Sequence, residues 1–324
     1  MKTYTIPRTD IEVSRMAYGT WHLGGSWDNT PLSQDRKELA SRLIHTAVDE
    51  GITMIDLADI YTRGKSDEAV GYVLQQNPGL REKLVLQEKA GIILSDDPNP
   101  GDIGRYDFSY AHLIHTVERS LKRLNTDYVD VLLLHRPDPL VEPEEVARAF
   151  DELQSSGKVR AFGVSNHTPA QIELLKRYID QPIVANQLEV NLLHNNLIND
   201  GIVMNTNMAT YSATHGTLEY CRLHDIQIQA WSPVAGGKLF VPAADDPQNV
   251  HDAAKLIAEL AEQHNTTKEA IALAWLLRHP AGILPILGTL KPERISVSVK
   301  ADDVALSRME WYRLLAAANG AGVP

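Results

Sequence analysis

Eight short apolar runs, each followed by a stretch with helical spacing, constrain this chain more than any other feature. The runs lie near 16–19, 53–56, 84–88, 129–134, 160–163, 183–187, 226–231 and 283–287. Several, such as "ILPIL", are rich in Val, Ile and Leu without polar alternation, the pattern of strands buried on both faces of a parallel sheet. Between them the apolar spacing becomes helical. In 36–50, Leu39, Leu43, Ala47 and Val48 share a face and Gly51 stands at a terminating position; in 110–124 the stripe is Leu113, Ile114, Val117, Leu121 and Leu124. Thr168 to Gln171, Thr266 to Glu269 and Ser307 to Glu310 have capping-box spacing. Pro169 and Pro292 suit first helical positions, and Pro280 closes the helix containing "AIALAWLLRH".

Eight strands alternating with about eight helices predict an α/β fold, a (β/α)8 TIM barrel, as a single domain over 1–324. The first eleven or so residues suit an N-terminal hairpin closing the barrel's bottom, and two extra helices are expected near 250–263 and 307–318. An open doubly wound sheet is the competing architecture, but no Gly-x-Gly-x-x-Gly follows the first strand. The connections 92–108 and 189–215 are long and polar, as functional loops often are.

Composition narrows the function classes. No window approaches eighteen consecutive apolar residues and the N-terminus lacks the apolar core of a signal peptide, so no membrane association is expected. The single cysteine, Cys221, excludes an internal disulfide and suits a cytoplasmic protein. With a net charge of −11 and no cluster of Lys and Arg, nucleic acid is not an expected partner, and any anionic ligand needs locally placed cations. A monomer is expected. His112 and His115 lack further ligands nearby, so no metal site is expected. "RGKS" at 63–66 lacks the earlier glycine of a phosphate-binding loop, since Asp59 stands there. The glycine pairs 24–25 and 236–237 read as flexible loop points.

The strand ends carry the chemistry. Successive runs finish at Asp56, Lys89, His135, Ser165 with Asn166, Gln187, Trp231 with Ser232, and Gly288 with Thr289, and a barrel of this kind places its active site at those ends. A tyrosine titrates near 10 and is a poor acid–base catalyst unless its surroundings shift it. A nearby ammonium such as Lys89 draws a phenol such as Tyr61 downward, a carboxylate such as Asp56 keeps that ammonium charged, and His135 can hold a substrate oxygen. The four together make a proton donor for a carbonyl oxygen.

"DLADIYTRGKSDEAVG", "LLLHRPD", "GKVRAFGVSNHTPAQI", "VANQLEVNLL", "AWSP" and "LGTLKPERI" resemble, in order, the motifs of the aldo-keto reductases, in particular the bacterial YdhF-like oxidoreductases. The resemblance implies a tetrad: Tyr61 as general acid, Lys89 lowering its pKa, Asp56 orienting Lys89, and His135 orienting the carbonyl. It also implies NADP(H) bound extended across the barrel. Gly19, Thr20, Trp21 and Asp56 then border the nicotinamide; Ser165, Asn166 and Gln187 hold its carboxamide; Trp231 stacks on the ring; and Ser232, Pro233 and the segment to Lys238 follow the pyrophosphate. Gly288, Thr289 and Arg294 take the adenosine 2′-phosphate. Gly288 and Ser298 depart from the Lys and Asn that some relatives carry there. The implied activity is reduction of small aldehydes or ketones, in a pocket shaped by Trp21, Trp27, Tyr106, Tyr110 and Tyr211. The alternatives are an NADPH-binding sensor subunit with little turnover, or a Schiff-base enzyme using Lys89 as nucleophile.

Overall fold

The computed structural model describes residues 1–204, 206 and 214–324. Eight parallel strands close into a barrel: β1 Ala17–Gly19, β2 Met54–Asp56, β3 Val85–Ala90, β4 Val129–Leu134, β5 Val159–Ser165, β6 Ile183–Glu189, β7 Gln227–Trp231 and β8 Leu284–Leu287. Neighbours pair in sequence order, and β8 closes on β1 through Ile286 opposite Ala17 and Leu287 opposite Tyr18. This is the expected TIM barrel.

Strand periodicity then fixes what each face sees, because successive side chains point to opposite sides. One set, including Ala17, Met54, Val131, Leu133, Ala161, Ala185, Leu284 and Ile286, packs with Ile6, Ile11 and Val13 into a buried interior cluster. Those last three come from the N-terminal segment, whose strands Thr3–Thr5 and Glu12–Ser14 pair as an antiparallel hairpin across the barrel's bottom. The other set, including Ile55, Leu86, Leu132, Leu134, Phe162, Val164 and Ile228, packs on the surrounding helices. Two residues beyond the interior apolar layer come the polar ones. Met54 leads to Asp56 and Leu133 to His135, both at the barrel's upper mouth.

Helix boundaries follow the chain's signals. Ser33 caps helix Gln34–Asp49, whose chain reverses at Gly51 with φ +83°. Helix Tyr110–Leu124 ends at Asn125 in a left-handed cap, and Thr168 and Ser307 close capping boxes on Pro169–Lys176 and Arg308–Asn319. The two extra helices are Gln248–Gln263 and Arg308–Asn319. The second is fixed by Trp311, which stacks on Trp275 with centroids 5.2 Å apart and exchanges indole-to-carbonyl bonds of 2.9 and 3.3 Å with it.

Two expectations are corrected and a third is refined. The cap of Lys268–Leu277 is Thr267, which accepts from Ala270 N, so the third helical residue is an alanine and no capping box forms. The long connections are partly ordered: Ile92–Ile93 pairs with Arg105–Tyr106 as a short ribbon, and 189–215 contains helix Asn196–Val203. Gly24 is no flexible point. A Cβ there would lie 2.2 Å from Thr62 Oγ1 and 2.5 Å from Lys65 Cβ, so two segments approach through it.

Candidate active site

Asp56 and Lys89 form the centre of the mouth. Lys89 Nζ donates to both Asp56 carboxylate oxygens at 2.7 Å and to Leu57 O at 2.5 Å. The lysine is fully buried and Asp56 nearly so, and a buried charge is tolerated when it is paired and hydrogen-bonded. Asp56 Oδ1 also accepts from Gln87 Nε2 at 2.7 Å and Gln187 Nε2 at 2.8 Å. Gln229 completes the layer, its Oε1 accepting from Gln87 at 2.7 Å and Gln187 at 3.1 Å while its own amide donates back to Gln87 at 2.8 Å. This polar floor separates the mouth from the apolar interior below. Gln87 and Gln229 escaped the sequence reading, although each stands two residues before a strand-end group and so shares its inward face.

Tyr61 reaches the mouth from an unusual turn. Thr62, Arg63 and Gly64 all have positive φ, at 49°, 60° and 89°. A β-branched residue in that region is strained and persists only where its surroundings hold it. Here Thr62 Oγ1 donates to Tyr61 O at 2.7 Å and lies 3.0 Å from Ser66 Oγ, which itself donates to Thr20 O at 2.8 Å. Arg63 Nε donates to Trp27 O at 3.1 Å. Gly64 is pressed under Arg123, whose guanidinium also donates to Asp59 O at 3.1 Å. "RGKS" is thus a structural clamp, with Lys65 bound to Asp28 at 2.9 Å.

The Lys89 ammonium lies 5.0 Å from the centroid of the Tyr61 ring, and the His135 ring packs edge-on against the same ring at 5.8 Å. Trp21 meets the tyrosine ring at 5.0 Å and Trp27 at 5.0 Å, forming an aromatic wall. Tyr110, in contrast, turns away from the mouth, its hydroxyl donating to Glu152 and its ring stacking under Arg148. Tyr211 lies outside the described residues.

The electrostatics differ from the sequence expectation in one respect. Burial, followed by the charges of Asp56 and Glu88, pushes the Tyr61 hydroxyl well above the ordinary phenol value, and Arg136 opposes them. The cation acting against the rise is Arg136 rather than Lys89, whose charge Asp56 matches at close range. His135 is held well below the usual imidazole range by burial and then by Lys89 and Arg136, so it is neutral. Among the described residues its Nδ1 is buried without a partner. A stranded acceptor is better tolerated than a stranded N–H, which assigns the proton to Nε2 and makes His135 a donor.

The remaining predicted residues stand at or beyond the ends of β1, β5, β6, β7 and β8. Gly19 pairs with Asp56 in register, and Thr20 donates to Asp56 O through N and Oγ1 at 3.0 Å each. Asn166, at φ 61°, donates to Ser165 Oγ at 2.9 Å and accepts from Trp231 Nε1 at 3.2 Å, while Ser165 Oγ donates to Gln187 O at 2.9 Å. These groups bond one another, yet the amide oxygens of Asn166 and Gln187 keep lone pairs for a carboxamide NH2, and the half-buried Trp231 offers a ring face. Beyond it, Ser232, Ala235, Gly236 and Gly237 all take positive φ, and Pro233 is buried beneath them. Lys238 is paired with Asp246 at 2.9 Å, so its charge is already shared. Gly288 is exposed with nothing within 4 Å of an added Cβ, and Thr289 Oγ1 accepts from Lys291 N at 3.1 Å. Arg294 is exposed and Ser298 is buried four residues on, on the same face of helix Pro292–Ser298. The aromatic face of Trp231, the spare acceptors on Asn166 and Gln187 and the exposed cation Arg294 are groups of the kind that a nicotinamide dinucleotide needs.

Cys221 belongs elsewhere. It is buried, and burial pushes its thiol up to about 12, the state of a packing residue and not of a nucleophile.

Comparisons with known proteins show the family. The model of the Aldo/keto reductase family matches residues 15–319. Oxidoreductase YdhF of Escherichia coli is 37% identical over 320 residues, covering 99% of this chain and 98% of its own. The 6-dehydroglucose reductase of Agrobacterium fabrum is 36% identical over 311 residues, covering 96% of each chain. Among solved structures, a glycerol dehydrogenase from Gluconobacter oxydans superposes with a TM-score of 0.80 at 27% identity, covering 97% of this chain and 95% of that one. A closed barrel, its mouth chemistry and a family match over nearly its full length make this chain a member of the aldo/keto reductase family of oxidoreductases.

Proposed function

We propose that the protein reduces aldehydes or ketones to alcohols with NADP(H), using Tyr61 as proton donor. The observation that carries this reading is the convergence of Asp56, Tyr61, Lys89 and His135, from three strand ends and one turn, on a single mouth. A dinucleotide held there would supply the hydride for the carbonyl carbon. His135, neutral and protonated on Nε2, hydrogen-bonds the carbonyl oxygen and orients it. Tyr61, kept protonated by burial, delivers its proton to that oxygen as negative charge develops. The Lys89–Asp56 pair fixes the polar floor beneath the phenol and supplies a preorganised field, commonly the largest catalytic contribution in such sites.

Ser165, Asn166 and Gln187 are assigned to the carboxamide, Trp231 to the nicotinamide face, and the turn from Ser232 and Pro233 to Lys238 to the pyrophosphate. Arg294 favours NADP(H) over NAD(H), since a planar guanidinium suits a phosphate, with Gly288, Thr289 and Ser298 beside it. Lys89 as a Schiff-base nucleophile is disfavoured by its complete burial and by the carboxylate that keeps it an ammonium.

Titration with NADPH and NADH, followed by a panel of aldehydes and ketones, tests the assignment. Tighter NADPH binding with turnover of part of the panel is expected. Tight NADPH binding without turnover would instead support the sensor reading, and no binding of either would reject both.

A further inference from the structure

The amides at the barrel floor form one directed chain of hydrogen bonds. Register builds it. Gln187 of β6 lies opposite Gln229 of β7, and Asp56 of β2 lies opposite Gln87 of β3. β3 and β7 are four strands apart in a barrel of eight, so Gln87 and Gln229 meet across its axis. All three glutamines are buried, Gln87 and Gln229 completely. The two ends of an amide are alike in size, and its partners decide which way it faces. Here the choice starts at Asp56, which is paired with Lys89 as a carboxylate whose oxygens only accept. Gln87 and Gln187 therefore both turn their NH2 groups to Asp56 Oδ1, at 2.7 and 2.8 Å. Gln229 Oε1 takes a second hydrogen from each, at 2.7 and 3.1 Å. Gln229 Nε2 in turn donates to Gln87 Oε1 at 2.8 Å and to Gln227 Oε1 at 3.3 Å, and Gln227 donates to the Tyr4 hydroxyl of the N-terminal hairpin. Gln229 thus makes the four hydrogen bonds that a primary amide can make. Gln187 is left with one unused group: among the described residues nothing donates to its Oε1.

We propose that Gln229 is a positioning residue for cofactor recognition, locking the Gln187 amide with its NH2 toward the floor and its Oε1 free to accept from a nicotinamide carboxamide. Asp56 Oδ1 is already shared with Lys89 and Gln87, so Gln229 supplies the second point that fixes the plane of the Gln187 amide. The acceptor is then set before any dinucleotide arrives, and no ordering of that side chain is charged against binding. The inference rests on the assignment of Gln187 to the carboxamide above and adds the residue that holds it.

The test compares NADPH with its reduced 3-acetylpyridine analogue, in which a methyl group replaces the carboxamide NH2. Dissociation constants come from tryptophan fluorescence, without turnover. The wild-type protein is expected to prefer NADPH by about tenfold, the scale of one buried hydrogen bond and of its acceptor left unmet. Gln187→Met should bring the ratio near one. Gln229→Met keeps the volume and removes both ends of the amide; it should cut the ratio at least about threefold. In the Gln187→Met background it should weaken NADPH no further, because Gln229 acts through Gln187. A ratio near one in the wild type overturns the proposal while leaving carbonyl reduction intact. An unchanged ratio in a destabilised Gln229→Met makes the residue structural only and also overturns it. If that variant does not fold, hydrogen exchange of 15N-labelled glutamine side chains in the wild-type protein still decides. The Gln187 NH2 should be equally protected with and without NADPH; protection that appears only with NADPH refutes a preset amide. If neither nucleotide binds, the cofactor reading fails and the proposal with it.

Discussion

Removing the lysine of the Lys89–Asp56 pair separates what holds the mouth together from what makes it reactive. The two groups meet at 2.7 Å, with side-chain exposures of 0% and 4%. At an effective dielectric of 20 their attraction is roughly 6 kcal/mol, most of it offset by the desolvation of both ions. Breaking such a pair from one side costs about 3–5 kcal/mol, because the partner stays buried and charged. In Lys89→Met, Asp56 keeps the Gln87 and Gln187 amides as donors, so the loss should fall near the lower end, about 3 kcal/mol. Asp56→Asn leaves the buried ammonium with one fewer charge partner and should cost a similar amount. The double variant removes both charges, and its loss should be smaller than the sum by about 2 kcal/mol or more. Urea unfolding of the four proteins gives this coupling directly, while carbonyl turnover should be lost in all three variants. Additive losses, with coupling under about 0.5 kcal/mol, would refute the argument that the pair is held by mutual charge compensation.

Two further predictions concern the structure around Tyr61. Gly24→Ala forces a methyl group to within 2.2 Å of Thr62 Oγ1 and should lower stability by about 2 kcal/mol, read as a lower urea midpoint; an unchanged midpoint would contradict the close approach. Asp67, buried and accepting from Ser120 Oγ at 3.0 Å, is pushed by burial up to about 8. Its folded-state pKa lies above the unfolded value, so the folded protein binds its proton more tightly, and that stabilisation is lost as pH rises from about 4 through 8. Asp67→Asn should flatten this part of the profile, gaining on the order of 4 kcal/mol relative to wild type at pH 9 compared with pH 5; parallel profiles from urea unfolding would rule the group out.

Much of the fold is legible because parallel barrel strands are buried on both faces and their apolar runs are short and unbroken. The strand-end residues were readable for the same reason: a period of two carries Met54 to Asp56 and Leu133 to His135 on one inward face. What the chain does not reveal is pairing between distant strands. Gln87 and Gln229 look like isolated polar residues in apolar runs until the barrel closes and brings their amides within 2.7 Å. Asp59, Asp67 and Glu88 likewise gather between the barrel and its helices, each leaving one carboxylate oxygen without a partner among the described residues. The turn at Thr62 and Arg63 takes left-handed geometry without a glycine at either position, so local sequence preference gave no sign of it. Lys238 reads as a phosphate ligand in sequence, and the ion pair with Asp246 appears only in three dimensions.

The central claim is that the Tyr61 hydroxyl gives its proton to the carbonyl oxygen. Single-turnover reduction by Tyr61→Phe preloaded with NADPH tests it most directly, because it isolates the chemical step from binding. The phenyl ring preserves the packing against Trp21 and His135, so NADPH affinity should stay close to wild type while the rate falls by at least about a thousandfold, the range of a positioned acid. A variant that reduces the carbonyl at the wild-type rate would contradict the account.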